Sequence, residues 1–176
     1  MLERIRFLTA GESHGKGLLG IIEGLPSNIK ISETYVKQHL SRRQKGHGRG
    51  GRMKIEDDFA EFIGGVRYGE TLGGPIGLQI KNRDWENWKD VMDHNIPEKP
   101  SKPITMLRPG HADLAGLQKF GMNDIRNILE RSSARETTMR VALGSFCRKM
   151  LEDIGIEIGS RVVQIHNIKD IQDIEM

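Results

Sequence analysis

Six apolar residues, Met139, Ala142, Leu143, Phe146, Met150 and Ile154, recur at helical spacing, and Gly155 ends the run. That spacing puts them on one stripe of a helix, and a stripe of this make-up is core rather than a cofactor-contacting face. Ser133-Ala134-Arg135-Glu136 reads as the start of the helix. It has the form of a capping box, in which the Ser133 hydroxyl accepts from the Glu136 amide and the Glu136 carboxylate accepts from the Ser133 amide. Cys147, the single cysteine, lies on the same stripe and reads as a small buried side chain; alone it makes neither a disulfide framework nor a metal site.

Ahead of this helix the pattern is largely strand. Residues 5–9 and 19–24 read as short strands around the glycine-rich turn AGESHGKG. Ser32 reads as the N-cap of a helix that ends near Arg43, with Val36 and Leu40 on one face. Residues 59–66 and 75–80 read as two further strands joined into a hairpin by the turn RYGETLGG, with Pro75 tolerated at a strand's first position. Residues 81–109 are polar, contain Pro97, Pro100, Pro103 and Pro109, and show no sustained period, so they read as a long surface loop, a lid or insertion. Residues 156–168 read as a last strand before a mixed polar tail.

A chain of 176 residues suffices for one domain that buries roughly 70% of its unfolded surface. The content is 36% hydrophobic and 29% charged, which is globular material, and with 5% aromatic the core falls to Ile, Leu, Val and Met. The net charge is only +3. The basic run SRRQKGHGRGGRMK at 41–54 is therefore a local feature rather than part of a general nucleic-acid coat. No apolar run nears the ~20 residues that span a bilayer, and MLERIRF lacks the apolar segment of a signal peptide, which argues for the cytoplasm.

Three motifs carry chemistry. GESHG at 11–15 puts His14 on a glycine-flanked turn, where an imidazole can exchange a proton near neutral pH; a plain surface or capping role is the alternative. RPGHAD at 108–113 sets Arg108 and His111 beside a rigid Pro-Gly turn, with Asp113 at a helix start. Two such histidines suit a metal as well, but no third ligand stands at diagnostic spacing. ERSSARET at 130–137 gathers Arg131, Ser132, Ser133 and Arg135 at a helix N-terminus, which suits a phosphate, although simple capping explains the same residues. The basic run reads as a solvated loop, an RNA-binding arm or one wall of a polyanion pocket. The RNA reading lacks interleaved aromatic residues on which bases would stack.

In this order, GESHG, RRQKGHGRGGRM, TLGGPIGLQIKNRDW, RPGHAD and ERSSARETTMRVALG resemble the chorismate synthases, particularly the bacterial type, from residue 5 to about residue 158. The resemblance implies an α+β fold with helices packed between antiparallel β-sheets. This chain, 1–176, would be the N-terminal part of a single such domain, about half of it. A part on its own would expose apolar faces, which predicts poor stability alone or a complementary C-terminal fragment. The family's reaction is the 1,4-elimination of phosphate from 5-enolpyruvylshikimate 3-phosphate with loss of the ring C6 proton, giving chorismate for aromatic amino acid biosynthesis. It requires reduced FMN, with NADPH as reductant in bifunctional relatives, and a homotetramer. No metal, nucleic acid or membrane is implied.

Carried onto this sequence, the resemblance makes His14 the acid that protonates the departing phosphate and His111 a donor to the N1 region of the flavin. It assigns Arg43 and Arg49 to substrate or NADPH, and Ser13, Arg108 and Arg135 to substrate. Arg131, Ser132 and Ser133 fall to FMN. The substrate carries roughly four negative charges at neutral pH, which accounts for a basic wall. An RNA-binding module built on 42–54, and an inactive fragment of the enzyme, are the rival readings.

Overall fold

The computed structural model describes residues 4–45 and 57–170. Alternation along Leu18, Leu19, Gly20, Ile21 and Ile22 sets the first layer, because successive side chains of a strand point to opposite faces. Leu18 and Ile22 are buried, whereas Leu19 and Ile21 are exposed. The strand that carries them, β2 (Gly17–Glu23), pairs antiparallel with β1 (Arg6–Ala10) on one side and with β7 (Ile76–Lys81) on the other. β4 (Glu61–Gly64) completes a four-stranded sheet of order β1-β2-β7-β4. A second, three-stranded antiparallel sheet has the order β3 (Ser27–Lys30), β6 (Glu70–Leu72), β5 (Val66–Arg67). The expected hairpin of 59–66 and 75–80 exists as β4 pairing β7, but the intervening turn is itself structured. It holds β6, which pairs with β5 and reaches back to β3.

Two helices cover the inner face of the larger sheet. α1 (Glu33–Gln44) begins where expected, with the Ser32 hydroxyl accepting from the Tyr35 amide at 3.1 Å, and buries Val36 and Leu40. α5 (Glu136–Glu152) buries Met139, Ala142, Leu143 and Phe146 against Leu18, Ile22, Ile76, Leu78 and Ile80. Each fully buried Leu, Ile, Met or Phe contributes roughly 1.5–3 kcal/mol. Gly20 faces this helix so closely that a Cβ would lie 2.5 Å from the Met139 sulfur, so the strand needs glycine there to let the layers meet. α2 (Trp85–Met92), α3 (Asp113–Phe120) and α4 (Arg126–Arg131) follow the sheet in sequence. The arrangement is α+β, as expected. On the sheet's other face Leu8, Leu19, Ile21 and Ile63 are exposed, the apolar surface anticipated for part of a larger fold.

Three local expectations need correction. The stretch 81–109 is not structureless, since α2 forms within it; Trp85, Trp88 and Met92 stand at helical spacing, a short signal masked by the prolines that follow. The capping box at Ser133 does not form. α5 starts at Glu136 with Arg135 at its N-cap position; the Ser133 hydroxyl donates to Ser13 instead, and the Glu136 carboxylate accepts from Thr9 and Arg140. Finally, the strand expected over 156–168 shrinks to a hairpin of β8 (Gln164–Ile165) and β9 (Ile168–Lys169) that pairs only with itself. Strand-like composition cannot make a strand without a ladder partner. Val163 adds a single bond, its carbonyl accepting from the Asp170 N–H at 3.0 Å, and Val162 lies beyond the paired strands among the described residues.

The α1–α5 contact has a titration signature. Tyr35 donates to Glu152 at 2.9 Å, and burial followed by that carboxylate pushes the phenol from the usual 10 up to about 12. A phenol whose ionisation is delayed in the fold favours the folded state below pH 10, and that contribution disappears as pH rises towards 12. Subtracting the alkaline absorbance titration of Tyr35→Phe from that of the parent should leave one phenol ionising near 12, together with loss of helicity. A difference titrating near 10 would show that the contact is not made in solution.

Candidate active site

The GESHG turn lies between β1 and β2 and is closed by glycine. Gly11 has φ +104°, and a Cβ there would sit 2.3 Å from the Gly17 carbonyl oxygen. Asn82, just beyond β7, ties the turn down. Its side-chain amide donates to the carbonyls of Glu12 and Gly15 at 3.1 and 2.8 Å, and its backbone N–H donates to Lys16 at 3.2 Å. The Asn82 side-chain oxygen in turn accepts from Arg135 Nε at 2.9 Å, and Arg135 Nη1 donates to Asp58. Arg135, assigned by resemblance to the substrate, is 7% exposed and engaged in this internal chain of contacts. Its observed work is to hold the turn.

His14 sits between a carboxylate and an indole. Its Nδ1 lies 2.9 and 3.0 Å from the two oxygens of Glu130, and its backbone N–H donates to the same carboxylate at 2.9 Å. Glu130 is 1% exposed, and the Ser13 amide donates to its backbone carbonyl at 3.0 Å. Trp88 of α2 stacks on the His14 ring with centroids 3.8 Å apart, and the Arg126 guanidinium lies 5.7 Å from the indole centroid.

RPGHAD forms a second tight cluster ahead of α3. Asp113 is fully buried and accepts from the Arg108 amide at 2.9 Å, from Nε at 3.0 Å and from Nη2 at 2.8 Å. These bonds from Arg108 hold the Asp113 carboxyl well below the usual carboxylate range. Such a carboxylate favours the folded state at neutral pH, and that contribution is lost as pH falls through its depressed value. His111 Nδ1 lies 2.8 Å from Arg108 Nη2 and 3.1 Å from Asp113. Nδ1 thus stands between a guanidinium, which only donates, and a carboxylate, which only accepts, and the ring's tautomer decides which of the two it bonds.

The residues of ERSSARET lie at the end of α4 and in the turn before α5. Arg131 donates to the Thr9 carbonyl and hydroxyl at 2.8 Å and to the Gly11 carbonyl at 3.3 Å, which binds it to the strand leading into the His14 turn. Ser132 donates to Ile128, and Ser133 donates to Ser13 at 3.1 Å. Arg43, at the end of α1, crosses to the same turn and donates to the Ala134 carbonyl at 2.8 Å and to Thr137 at 3.0 Å. Ser13, His14, Arg43, Arg131, Ser132, Ser133 and Arg135 are thereby linked through the α4–α5 turn. Arg49 and the rest of 46–56 lie outside the described residues.

A cavity of about 500 Å³ opens beside them. Glu12 of the His14 turn, Ala112 next to His111, and Arg131 and Ser132 all line it, with Phe120 and Ile128 among the apolar walls. Sequence reasoning missed Glu130, Trp88, Asn82 and Asp58. Glu130 was in view as the first residue of ERSSARET but reads as an ordinary helical residue until His14 is brought to it. Among the described residues, no group of three or more His, Cys, Asp or Glu is placed to hold a metal, and no helix is long and apolar enough to cross a membrane.

Comparison with known proteins agrees with the motifs. The chorismate synthase from Aquifex aeolicus (strain VF5) is 57% identical over 175 residues, covering 99% of this chain and 44% of that protein. The chorismate synthase from Sulfurihydrogenibium sp. (strain YO3AOP1) is 57% identical over 172 residues, covering 97% of the chain and 44% of its own length. A crystal structure of chorismate synthase superposes with a TM-score of 0.74 at 45% identity, covering 97% of this chain and 41% of that one. The chain thus spans less than half the length of the relatives it matches. With the family model for chorismate synthase matching residues 5–176, the chain belongs to the chorismate synthase family.

Proposed function

We propose that this chain, as part of a full-length chorismate synthase, serves the 1,4-elimination of phosphate from 5-enolpyruvylshikimate 3-phosphate, working in the cytoplasm within a homotetramer. One observation carries the reading: a single cavity is bordered by the His14 turn, by the residue beside His111, and by Arg131 and Ser132. Its walls suit a flat heteroaromatic ring, with Ala115, Phe120, Met122 and Ile128 as apolar surface and few polar groups converging at the edge. The FMN assignment of Arg131 and Ser132 fits that lining, a guanidinium and a hydroxyl beside apolar walls, while Ser133 lines an adjoining polar pocket together with the same two residues. When bound, reduced FMN lends electron density to the substrate and accepts the C6 proton.

The chain's own residues supply charge, orientation and a proton. His14, held by Glu130 and Trp88, protonates the departing phosphate, so the C–O bond breaks to a less basic leaving group. Arg108 and Arg43, with Arg49, balance the substrate's charge, and Ser13 orients it. Arg108 and Asp113 hold the His111 ring by its Nδ1, which leaves Nε2 as the nitrogen that donates to the flavin. Arg135 supports the substrate indirectly, through Asn82 and the turn that carries Ser13 and His14.

Anaerobic titration of reduced FMN into the full-length enzyme, with and without a non-reacting substrate analogue, tests the assignment. His111→Ala should weaken reduced FMN by about tenfold, the loss of one good hydrogen bond. A full-length enzyme that ignores the flavin and instead binds RNA with a steep salt dependence would favour the rival reading of the basic run. Membership of the family weighs against that outcome.

A further inference from the structure

We propose that Glu130 is the positioning residue of His14, fixing which ring nitrogen carries the hydrogen and which faces the reaction. The proposal rests on the acid role given to His14 above. Glu130 is held in a site 1% open to solvent, and its carboxylate is shared between two donors of one residue, the His14 backbone N–H at 2.9 Å and the ring Nδ1 at 2.9 Å. A carboxylate only accepts, so Nδ1 must carry hydrogen in the neutral and the charged ring alike, and the proton that His14 gives up as an acid is the one on Nε2. Trp88 stacks at 3.8 Å and removes rotation about the ring's other axis. Arg126, 3.9 Å from Glu130, adds a cation behind the carboxylate. Two elements far apart in sequence, the β1–β2 turn and α4, meet at this side chain, and the Glu130 backbone carbonyl and Arg131 join them as well. Such second contacts to a histidine are what set its tautomer in other proton-transfer sites.

Glu130→Gln is the discriminating change, because it is isosteric but puts a donor NH₂ where one carboxylate oxygen stood. Oε2 lies 2.9 Å from both His14 donors and Oε1 lies 3.0 Å from Nδ1, so an NH₂ in the Oε1 place sets donor against donor at Nδ1 and weakens the preference for Nδ1–H. In the full-length enzyme, ring ¹⁵N chemical shifts of the neutral His14 ring should therefore report Nδ1–H alone in the parent and an added share of Nε2–H in Glu130→Gln. The variant's kcat should fall by tenfold or more with KM for the substrate little changed. The double variant His14→Ala/Glu130→Gln should be no slower than His14→Ala alone, since a residue acting through His14 has nothing left to position. A multiplicative loss in the double variant, or an unchanged tautomer and kcat in Glu130→Gln, overturns the proposal. That result is separate from failure of the acid role, which would appear as near-normal turnover in His14→Ala. Any loss of stability enters the single and the double variant alike, so a folding defect in Glu130→Gln does not mimic the expected pattern.

Discussion

His14→Ala in the full-length enzyme is expected to slow elimination by about 10²-fold or more, in the range of lost general acid chemistry, with the loss in kcat rather than KM. The leaving phosphate must take a proton or carry away a full charge, and His14 is the imidazole on the glycine-closed turn that borders the cavity. Removing the ring leaves the buried Glu130 carboxylate with the backbone N–H of residue 14 and with Arg126 3.9 Å away, so some loss of stability accompanies the loss of rate. Steady-state turnover measured beside a thermal melt separates the two effects. A variant that melts like the parent and turns over within a factor of about three of it would remove His14 from the mechanism.

Asp58→Ala should destabilise the protein by about 3–5 kcal/mol, the usual consequence of deleting one member of a buried ion pair. The Asp58 and Arg135 side chains are 1% and 6% exposed, and Asp58 also accepts from Gln44 at 3.0 Å, so this carboxylate ties α1 to the start of α5. Without it the Arg135 guanidinium keeps Asn82 but loses its counter-charge. Because Asn82 holds the Glu12 and Gly15 carbonyls, the disturbance should reach the His14 turn and lower activity even at temperatures where the chain is folded. Replacing both partners with apolar residues of similar size should cost less than Asp58→Ala alone, since the penalty is chiefly that of an uncompensated buried charge. Melting curves check this: a shift below about 2 °C for Asp58→Ala would show that the pair is not held as described.

Much of the framework was legible before any coordinates. The α1 cap at Ser32, the strands on either side of GESHG and β7 came from short-range rules, and so did the buried positions of the 139–146 stripe. These depend on hydrogen bonds or side-chain periodicity within a few residues. The failures share a different cause. At Ser133 a capping box matched the local pattern, but the Glu136 carboxylate it needs accepts from Thr9, 127 positions earlier, and from Arg140, while the Ser133 oxygen accepts from the Arg135 amide. At 156–168 apolar β-branched residues suggested a strand, of which only the 164–165 end finds a partner among the described residues. The helix α2 gave only a short local signal, Trp85, Trp88 and Met92, and what it packs on, the His14 ring, lies far away in sequence.

By itself the sequence determined the element types, the family and the cast of histidines, arginines and serines, because caps, alternation and rare motifs are written in neighbouring residues. Only the tertiary structure decided their contacts. It sent Arg135 inward to Asp58 and Asn82, made Arg108 and Asp113 the keepers of His111, and set Glu130 beneath His14 across 116 positions of chain. Charge and hydrogen-bonding capacity are properties of a residue, but which partner satisfies them depends on burial and distance, and those exist only once the layers have packed.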